Sequence, residues 1–323
     1  IGVLGAGYLG KIHLSLLKES KHFDLVGFYD TKTQIAAKIS REFGYQSFSD
    51  INQLLQAVDV VDIVTPTHTH FELAKKALQN GLHVFLEKPI TTTVEQANEL
   101  VSLAKSKGLL GMVGQVERFN PAFIAAHSYI KEPKFIESHR LAEFNPRGTD
   151  VSVILDLMIH DIDAILSVVK SKVVNVHANG VSVISQTPDI ANARLQFENG
   201  CVANLTASRI SLKTMRKSRF FQKDAYVSVD YFDKKVEIVS MKDAPKTPED
   251  FAMILKNAEG DEKQIFFDNP EVQESNAILS ELESFADAIQ KNKEPLVSLQ
   301  AGTSALEVAY QIINCYSNVS SPI

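Results

Sequence analysis

Near the start of the chain, Gly5-Ala6-Gly7-Tyr8-Leu9-Gly10 follows the spacing G-x-G-x-x-G. An apolar run, Ile1–Leu4, comes just before it. A helical pattern over Tyr8–Glu19, with Leu9, Ile12, Leu16 and Leu17 on one face, comes just after it. In a strand–turn–helix unit the three glycines do different things. The first permits a tight turn, the second lets backbone approach a pyrophosphate, and the third lets helix and strand pack closely. Amides at the helix N-terminus then face the phosphates. A second strand pattern, Leu25–Tyr29, ends in Asp30. That carboxylate suits an adenosine ribose diol and would repel a 2′-phosphate, which favours NAD over NADP, with Lys32 nearby acting against the preference. Gly5, Gly7, Tyr8, Leu9, Gly10 and Asp30 are therefore candidate dinucleotide ligands.

The same grammar continues to residue 113. Six strand-like runs, Ile1–Leu4, Leu25–Tyr29, Tyr45–Phe48, Val60–Val64, His83–Leu86 and Leu109–Val113, alternate with helical patterns. Gly44, Gly81 and Gly108 fall where helices need left-handed caps. The pattern predicts an α/β Rossmann domain, a doubly wound parallel sheet with right-handed crossovers. After residue 120 one helix is expected over Val153–Val169. Strand runs follow at Val173–Ile184, Ile190–Phe197, Val202–Ile210, Tyr226–Tyr231 and Val236–Val239. They predict an α+β domain with an open, mainly antiparallel sheet. Residues 242–274 are charged, carry Pro245, Pro248 and Pro270, and read mostly as loop. Helices over Ala277–Gln290 and Gly302–Ser317 close the chain. The expected division is 1–120 for the dinucleotide and 121–323 for substrate and oligomerisation, with the last helix able to pack back on the first domain.

Composition narrows the function. The net charge is −6, from 33 basic and 39 acidic residues, which argues against a dedicated nucleic-acid binder. No run approaches the roughly 20 apolar residues that cross a bilayer. No signal-peptide pattern precedes the strand at Ile1, whose place at the start implies that a few residues come before it. With only two cysteines, Cys201 and Cys315, no disulfide framework is needed, and a cytoplasmic setting is expected. His68 and His70 form an HxH pair, but no third ligand stands at metal-site spacing, so no metal is expected.

Two segments stand at strand ends, where ligands gather in open α/β sheets: Thr65-Pro66-Thr67-His68-Thr69-His70 and Glu87-Lys88-Pro89. Oxidising a secondary alcohol requires hydride transfer and removal of a hydroxyl proton. Histidine has a pKa suited to the proton transfer. Asp156 and His160 stand at i and i+4 on the expected helix, with Asp163 near the same face, so a carboxylate can orient the imidazole. Lys88 can hydrogen-bond the reacting oxygen or stabilise negative charge there. Gly5–Gly10, Asp30, Thr65-Pro66, Glu87-Lys88-Pro89 and Asp156–Asp163, in this order, resemble the Gfo/Idh/MocA oxidoreductase family. The resemblance implies that Lys88 and His160 form the catalytic pair with Asp156. It also implies that Thr65, Pro66, His70, Glu87, Lys88 and Gln115 contact the dinucleotide, and that the chain forms a homodimer or homotetramer.

Three features narrow the substrate. They are Gly114–Pro121, Gly148-Thr149-Asp150-Val151, and the cations Arg209, Lys213, Arg216, Lys217 and Arg219, crowded into eleven residues with no acid between them. They resemble a branch of the family that oxidises the C3 hydroxyl of UDP-N-acetylglucosamine. A diphosphate suits arginine forks. The candidate substrate contacts are Lys88, Arg118, Asn120, Asp156, His160, Arg209 and Arg216, although Arg118 and Asn120 could instead touch the cofactor or hold the domain junction. A solvated loop or an oligomer contact would also explain the cations. The same chemistry on a free sugar or an inositol is the alternative substrate. A non-catalytic dinucleotide-binding sensor is the alternative of another class, against which Lys88 and His160 together speak.

Overall fold

The computed structural model describes residues 1–145, 151–244, 253–256 and 260–317. Gly148, Thr149 and Asp150, noted above, and Pro245 and Pro248 lie outside the described residues. The chain divides into two compact units. One is Ile1–Phe119 with Asn276–Glu307; the other is Asn120–Ser275 with the chain from Val308 onward.

The first unit is built on β1 (Gly2–Leu4), β2 (Gly27–Tyr29), β3 (Val60–Ile63), β4 (His83–Glu87) and β5 (Gly111–Gly114). They form one parallel sheet in the order β2-β1-β3-β4-β5. β1, β3 and β5 are buried along their whole length, as strands covered on both faces must be. Val3, Phe28, Val61, Ile63, Val84, Phe85 and Leu86 form the core. The helices are α1 (Tyr8–Glu19), α2 (Thr33–Phe43), α3 (Ile51–Gln56), α4 (His70–Gln79) and α5 (Val94–Lys107). Asp50 caps α3 by accepting the Asn52 amide, and α2 and α5 end at Gly44 and Gly108 in the left-handed region. Tyr45–Phe48 does not become the sixth strand that its apolar ends suggest. It makes a single bridge, Ser47 to Phe28, and then turns into α3.

In the second unit α6 (Pro121–His127) precedes β6 (Phe135–Leu141), and α7 (Ile159–Val169) follows a π-helical turn over Ile154–Met158. The expected single helix over Val153–Val169 is therefore two segments of different pitch. Eight more strands follow: β7 (Val173–Val181), β8 (Ile190–Phe197), β9 (Val202–Ser208), β10 (Met215–Gln222), β11 (Ala225–Asp230), β12 (Lys235–Asp243), β13 (Met253–Lys256) and β14 (Glu262–Asp268). The sheet runs β13-β14-β12-β11-β10-β6-β9-β8-β7. The β6–β9 pair is parallel and the other pairings are antiparallel. Alternate residues of β6, β8 and β9 are buried, the mark of a sheet covered on one face.

Part of the region 242–274 is strand where loop was expected: β12 runs to Asp243, and β13 and β14 lie within the region's described residues. Four of its charges form two cross-strand pairs. Asp243 faces Lys263 at 2.8 Å and Lys256 faces Glu262 at 3.2 Å, each pair directly opposite in register. Such pairing stabilises half-exposed strands that lack the usual apolar alternation. The chain closes with α8 (Ala277–Gln290), in the first unit, and α9 (Leu299–Ser317), whose residues to Glu307 belong to the first unit and the rest to the second. No described helix is long and apolar enough to cross a membrane.

Candidate functional site

The glycine loop joins β1 to α1. Gly5 has φ +93°, and a Cβ there would stand 2.7 Å from the Val64 carbonyl oxygen. A Cβ on Gly10 would stand 2.1 Å from the Gly5 carbonyl oxygen, so helix and turn touch through backbone alone. Gly7, the N-cap of α1, is exposed; no side chain caps the helix, and a Cβ there would meet nothing within 4 Å. That open, uncapped N-terminus fits a pyrophosphate. Tyr8 is exposed beside it and Leu9 is half-buried.

Asp30 does more than await a ribose. One carboxylate oxygen accepts the Ala6 amide and the other the Lys32 amide, each at 2.8 Å. The acid thus ties the loop to the end of β2, and a carboxylate has about four lone-pair sites, which leaves room for a diol. A cleft of about 420 Å³ opens beside it, lined by Tyr29, Thr31, Ala36, Gln46 and Ser47. Gln115, at the end of β5, is buried, and its side-chain oxygen has no partner among the described residues. An acceptor in that state suits the amide of a nicotinamide. The loop, Asp30 and Gln115 together fit NAD.

Thr65 and Pro66 follow β3, and the Thr65 hydroxyl lies 2.7 Å from that of Thr69. His70 is placed differently from the expectation. It is buried, with one ring nitrogen 2.9 Å from the Pro89 carbonyl oxygen and the other 2.8 Å from that of Thr65. Burial lowers its pKa, although the two carbonyls oppose the shift. It is a strut between the Thr65-Pro66 turn and the Lys88-Pro89 turn. Glu87 also turns inward: one oxygen accepts the Lys88 amide at 3.2 Å, and the other lies 3.4 Å from His13. The half-buried Lys88 follows it, and its peptide bond to Pro89 is cis.

Asn120 and Arg118 are anchors as placed. Asn120 caps α6 by accepting the Ala122 amide and donates to the Tyr231 carbonyl oxygen, both while buried. Arg118 donates to the Leu296 carbonyl oxygen at 3.4 Å within the first unit. These bonds agree with the alternative in which the two residues hold the chain locally.

In the second unit, Asp156 lies in the π turn and His160 in the first turn of α7. A single π turn in a helix often marks a functional site. The two residues stand about one turn apart on elements of different pitch. The next residue, Asp161, is paired with Arg140 of β6 at 2.8 Å and 3.0 Å, so α7 covers the sheet face on which Arg140 points. Asp163 is buried.

The five clustered cations are divided by the sheet. Arg209 is buried and donates to the Val151 and Pro188 carbonyl oxygens, with Asp189 at 3.8 Å. Those bonds hold the loops around Val151 and Pro188. Lys217 pairs with Asp230 at 2.8 Å, and Arg219 faces Glu137 at 3.8 Å. The counter-ions missing from the local sequence come from neighbouring strands. Arg216 alternates with Lys217 and Arg219 and lies directly opposite Arg140 in the β6–β10 register. Directly opposed residues share a face, so exposed Arg216 lies on the side that α7 covers.

A group that no sequence motif marks is buried in the first unit. It consists of His13 on α1, Asp62 in β3 and Glu281 on α8, beside Glu87. A weaker signal was present, since Asp62 interrupts an apolar strand and His13 stands on the core side of α1. Among the described residues no group of three or more His, Cys, Asp or Glu is arranged to hold a metal ion.

Residues 1–115 match the oxidoreductase family with an NAD-binding Rossmann fold, and residues 121–222 match the GFO/IDH/MocA C-terminal domain. The chain is 34% identical over 321 residues to UDP-N-acetylglucosamine 3-dehydrogenase of Acidithiobacillus ferrooxidans, covering 96% of this chain and 95% of that protein. It is 26% identical over 335 residues to scyllo-inositol 2-dehydrogenase (NAD(+)) of Bacillus subtilis, covering 98% and 93%. The solved structure of UDP-N-acetylglucosamine 3-dehydrogenase GnnA from A. ferrooxidans superposes with a TM-score of 0.88 at 32% identity, covering 98% of this chain and 97% of that one.

Proposed function

This chain belongs to the Gfo/Idh/MocA family of NAD-binding oxidoreductases, and we propose that it oxidises the C3 hydroxyl of UDP-N-acetylglucosamine, or of a related UDP-sugar, to a ketone. The observation that carries this reading is the 34% identity to such a dehydrogenase over nearly the whole of both chains. The placement of Arg216 on the α7 side of the sheet supports it, because a sugar held near His160 would bring its diphosphate to that same face.

Bound NAD supplies the hydride acceptor. Gly5, Gly7, Tyr8, Leu9 and Gly10 hold its phosphates, Asp30 its ribose, and Thr65, Pro66 and Gln115 its nicotinamide half. Lys88 and His160 are the catalytic pair. One removes the hydroxyl proton and the other hydrogen-bonds the oxygen as it becomes a carbonyl, with Asp156 orienting the imidazole. Arg216 forks onto the diphosphate. The protein works in the cytoplasm as a homodimer or homotetramer. Exposed apolar side chains on the outer strands, among them Phe267, Met253 and Leu255, support the assembly.

The test is NADH formation against UDP-N-acetylglucosamine, other UDP-sugars, free hexoses and inositols, with the product mass recorded. A UDP-sugar is expected to lose two hydrogens, with kcat/KM roughly 100-fold above the free sugar, the scale of one or two charge-assisted hydrogen bonds. Preference for a free sugar or an inositol would replace the nucleotide-sugar reading.

A further inference from the structure

His13 is fully buried, one turn beyond the glycine loop, with an acid at each ring nitrogen. Its Nδ1 lies 2.9 Å from Asp62 Oδ2 and its Nε2 lies 3.4 Å from Glu87 Oε1. The other Glu87 oxygen accepts the amide of Lys88. We propose that His13 is a positioning residue for Lys88. Nδ1 of its ring is hydrogen-bonded to Asp62, and Nε2 stands as a charge contact beside the Glu87 carboxylate without hydrogen-bond geometry, keeping that carboxylate where it accepts the Lys88 amide, at the stem from which the Lys88 side chain extends. The proposal rests on the reading above, in which Lys88 acts on the substrate.

The surroundings argue for a fixed array. The titratable groups facing His13 come from each neighbouring element: Asp62 from β3, Glu87 from β4 and Glu281 from α8. Phe85 lies against the ring with centroids 6.1 Å apart, and Phe285 packs on Phe85 in turn. A doubly protonated ring donates from Nδ1 to Asp62 and sets a positive charge beside Glu87. Burial opposes that charge, but Asp62 and Glu87 outweigh it and hold the His13 pKa well above that of a free histidine. Burial, with the Glu87 charge beside it, pushes Glu281 well above the usual carboxylate range, so Glu281 keeps its proton. Gly114 completes the seat, since a Cβ there would stand 2.8 Å from Glu87 Oε1.

Two variants test this in the full chain. His13→Asn removes the charge, and Gly114→Ala pushes the carboxylate without changing any charge. The second remains available if the first does not fold, since the displaced atoms belong to the end of one side chain and not to backbone. Four quantities are measured in each: hydrogen exchange of the Lys88 amide, the Kd for NADH, and kcat and KM for UDP-N-acetylglucosamine. The Lys88 amide should exchange roughly 10-fold faster, and kcat should fall roughly 10- to 100-fold, the scale of a misplacement of about 1 Å. The Kd and the sugar KM should stay within about threefold. A folded variant with unchanged Lys88 exchange and unchanged kcat would overturn the proposal, as would a kcat loss that merely follows lost NADH binding. If the wild type oxidises no sugar while the Lys88 amide still loosens in the variants, the substrate reading fails and the positioning role stands.

Discussion

The glycine loop and strand β10 are the two sites proposed above to hold phosphates, and they are built on opposite principles. The loop does it with backbone: Gly5 and Gly10 let main chain touch main chain, and Asp30 uses both oxygens to keep the turn in place. Strand β10 would do it with side chains, and two of its cations face acids on neighbouring strands. Lys217 has Asp230 and Arg219 has Glu137. A phosphate site made of amides depends on a few consecutive residues. One made of arginines depends on which strand lies alongside, and on the face to which register assigns each side chain.

The largest effect should come from breaking the backbone side of this contrast. Gly10→Ala forces a Cβ to within 2.1 Å of backbone. It should abolish measurable NADH binding, a loss of roughly 100-fold or more, read by fluorescence titration. Asp30→Ala should lower kcat/KM for NAD by roughly 10-fold and narrow its lead over NADP, because both the ribose contact and the anchor to Ala6 are lost. Arg209→Ala sharpens the other side. It should lower Tm by about 5 °C, since a buried cation and its carbonyl partners are lost, while leaving the sugar KM within about twofold.

The smallest effect concerns the buried acids. Glu281 keeps its proton in the fold, while the unfolded chain releases it near the ordinary value of 4.5. Because its folded pKa is raised, stability falls as pH climbs from 4.5 toward the folded value. Glu281→Gln removes that slope. The variant should match the wild type near pH 4 and melt a few degrees (~3 °C) higher near pH 8. A constant offset at all pH values would mean that Glu281 ionises normally.

The same contrast explains what could be read from the residues alone. The strand–loop–helix start, the α3 cap at Asp50 and the glycine ends of α2 and α5 depend on neighbours in sequence, and the structure has them as expected. β13 and β14 were hidden because their charges signify loop until the opposing strand is known. Arg209, Asn120 and His70 are polar residues at useful-looking positions whose hydrogen bonds turn out to go to backbone inside their own units. His13 and Asp62 were legible as polar residues at core positions, but their shared purpose required two strands and two helices to be assembled first.

The most direct measurement is the ratio of kcat/KM for UDP-N-acetylglucosamine to that for free N-acetylglucosamine, in the wild type, Arg216→Ala and Lys217→Ala. Arg216 lies on the α7 side of the sheet and Lys217 on the other. The ratio should be large in the wild type, fall roughly 10- to 100-fold in Arg216→Ala, and hold within about twofold in Lys217→Ala. A wild type indifferent to the nucleotide, or a ratio that survives Arg216→Ala intact, would contradict a UDP-sugar substrate gripped from that face.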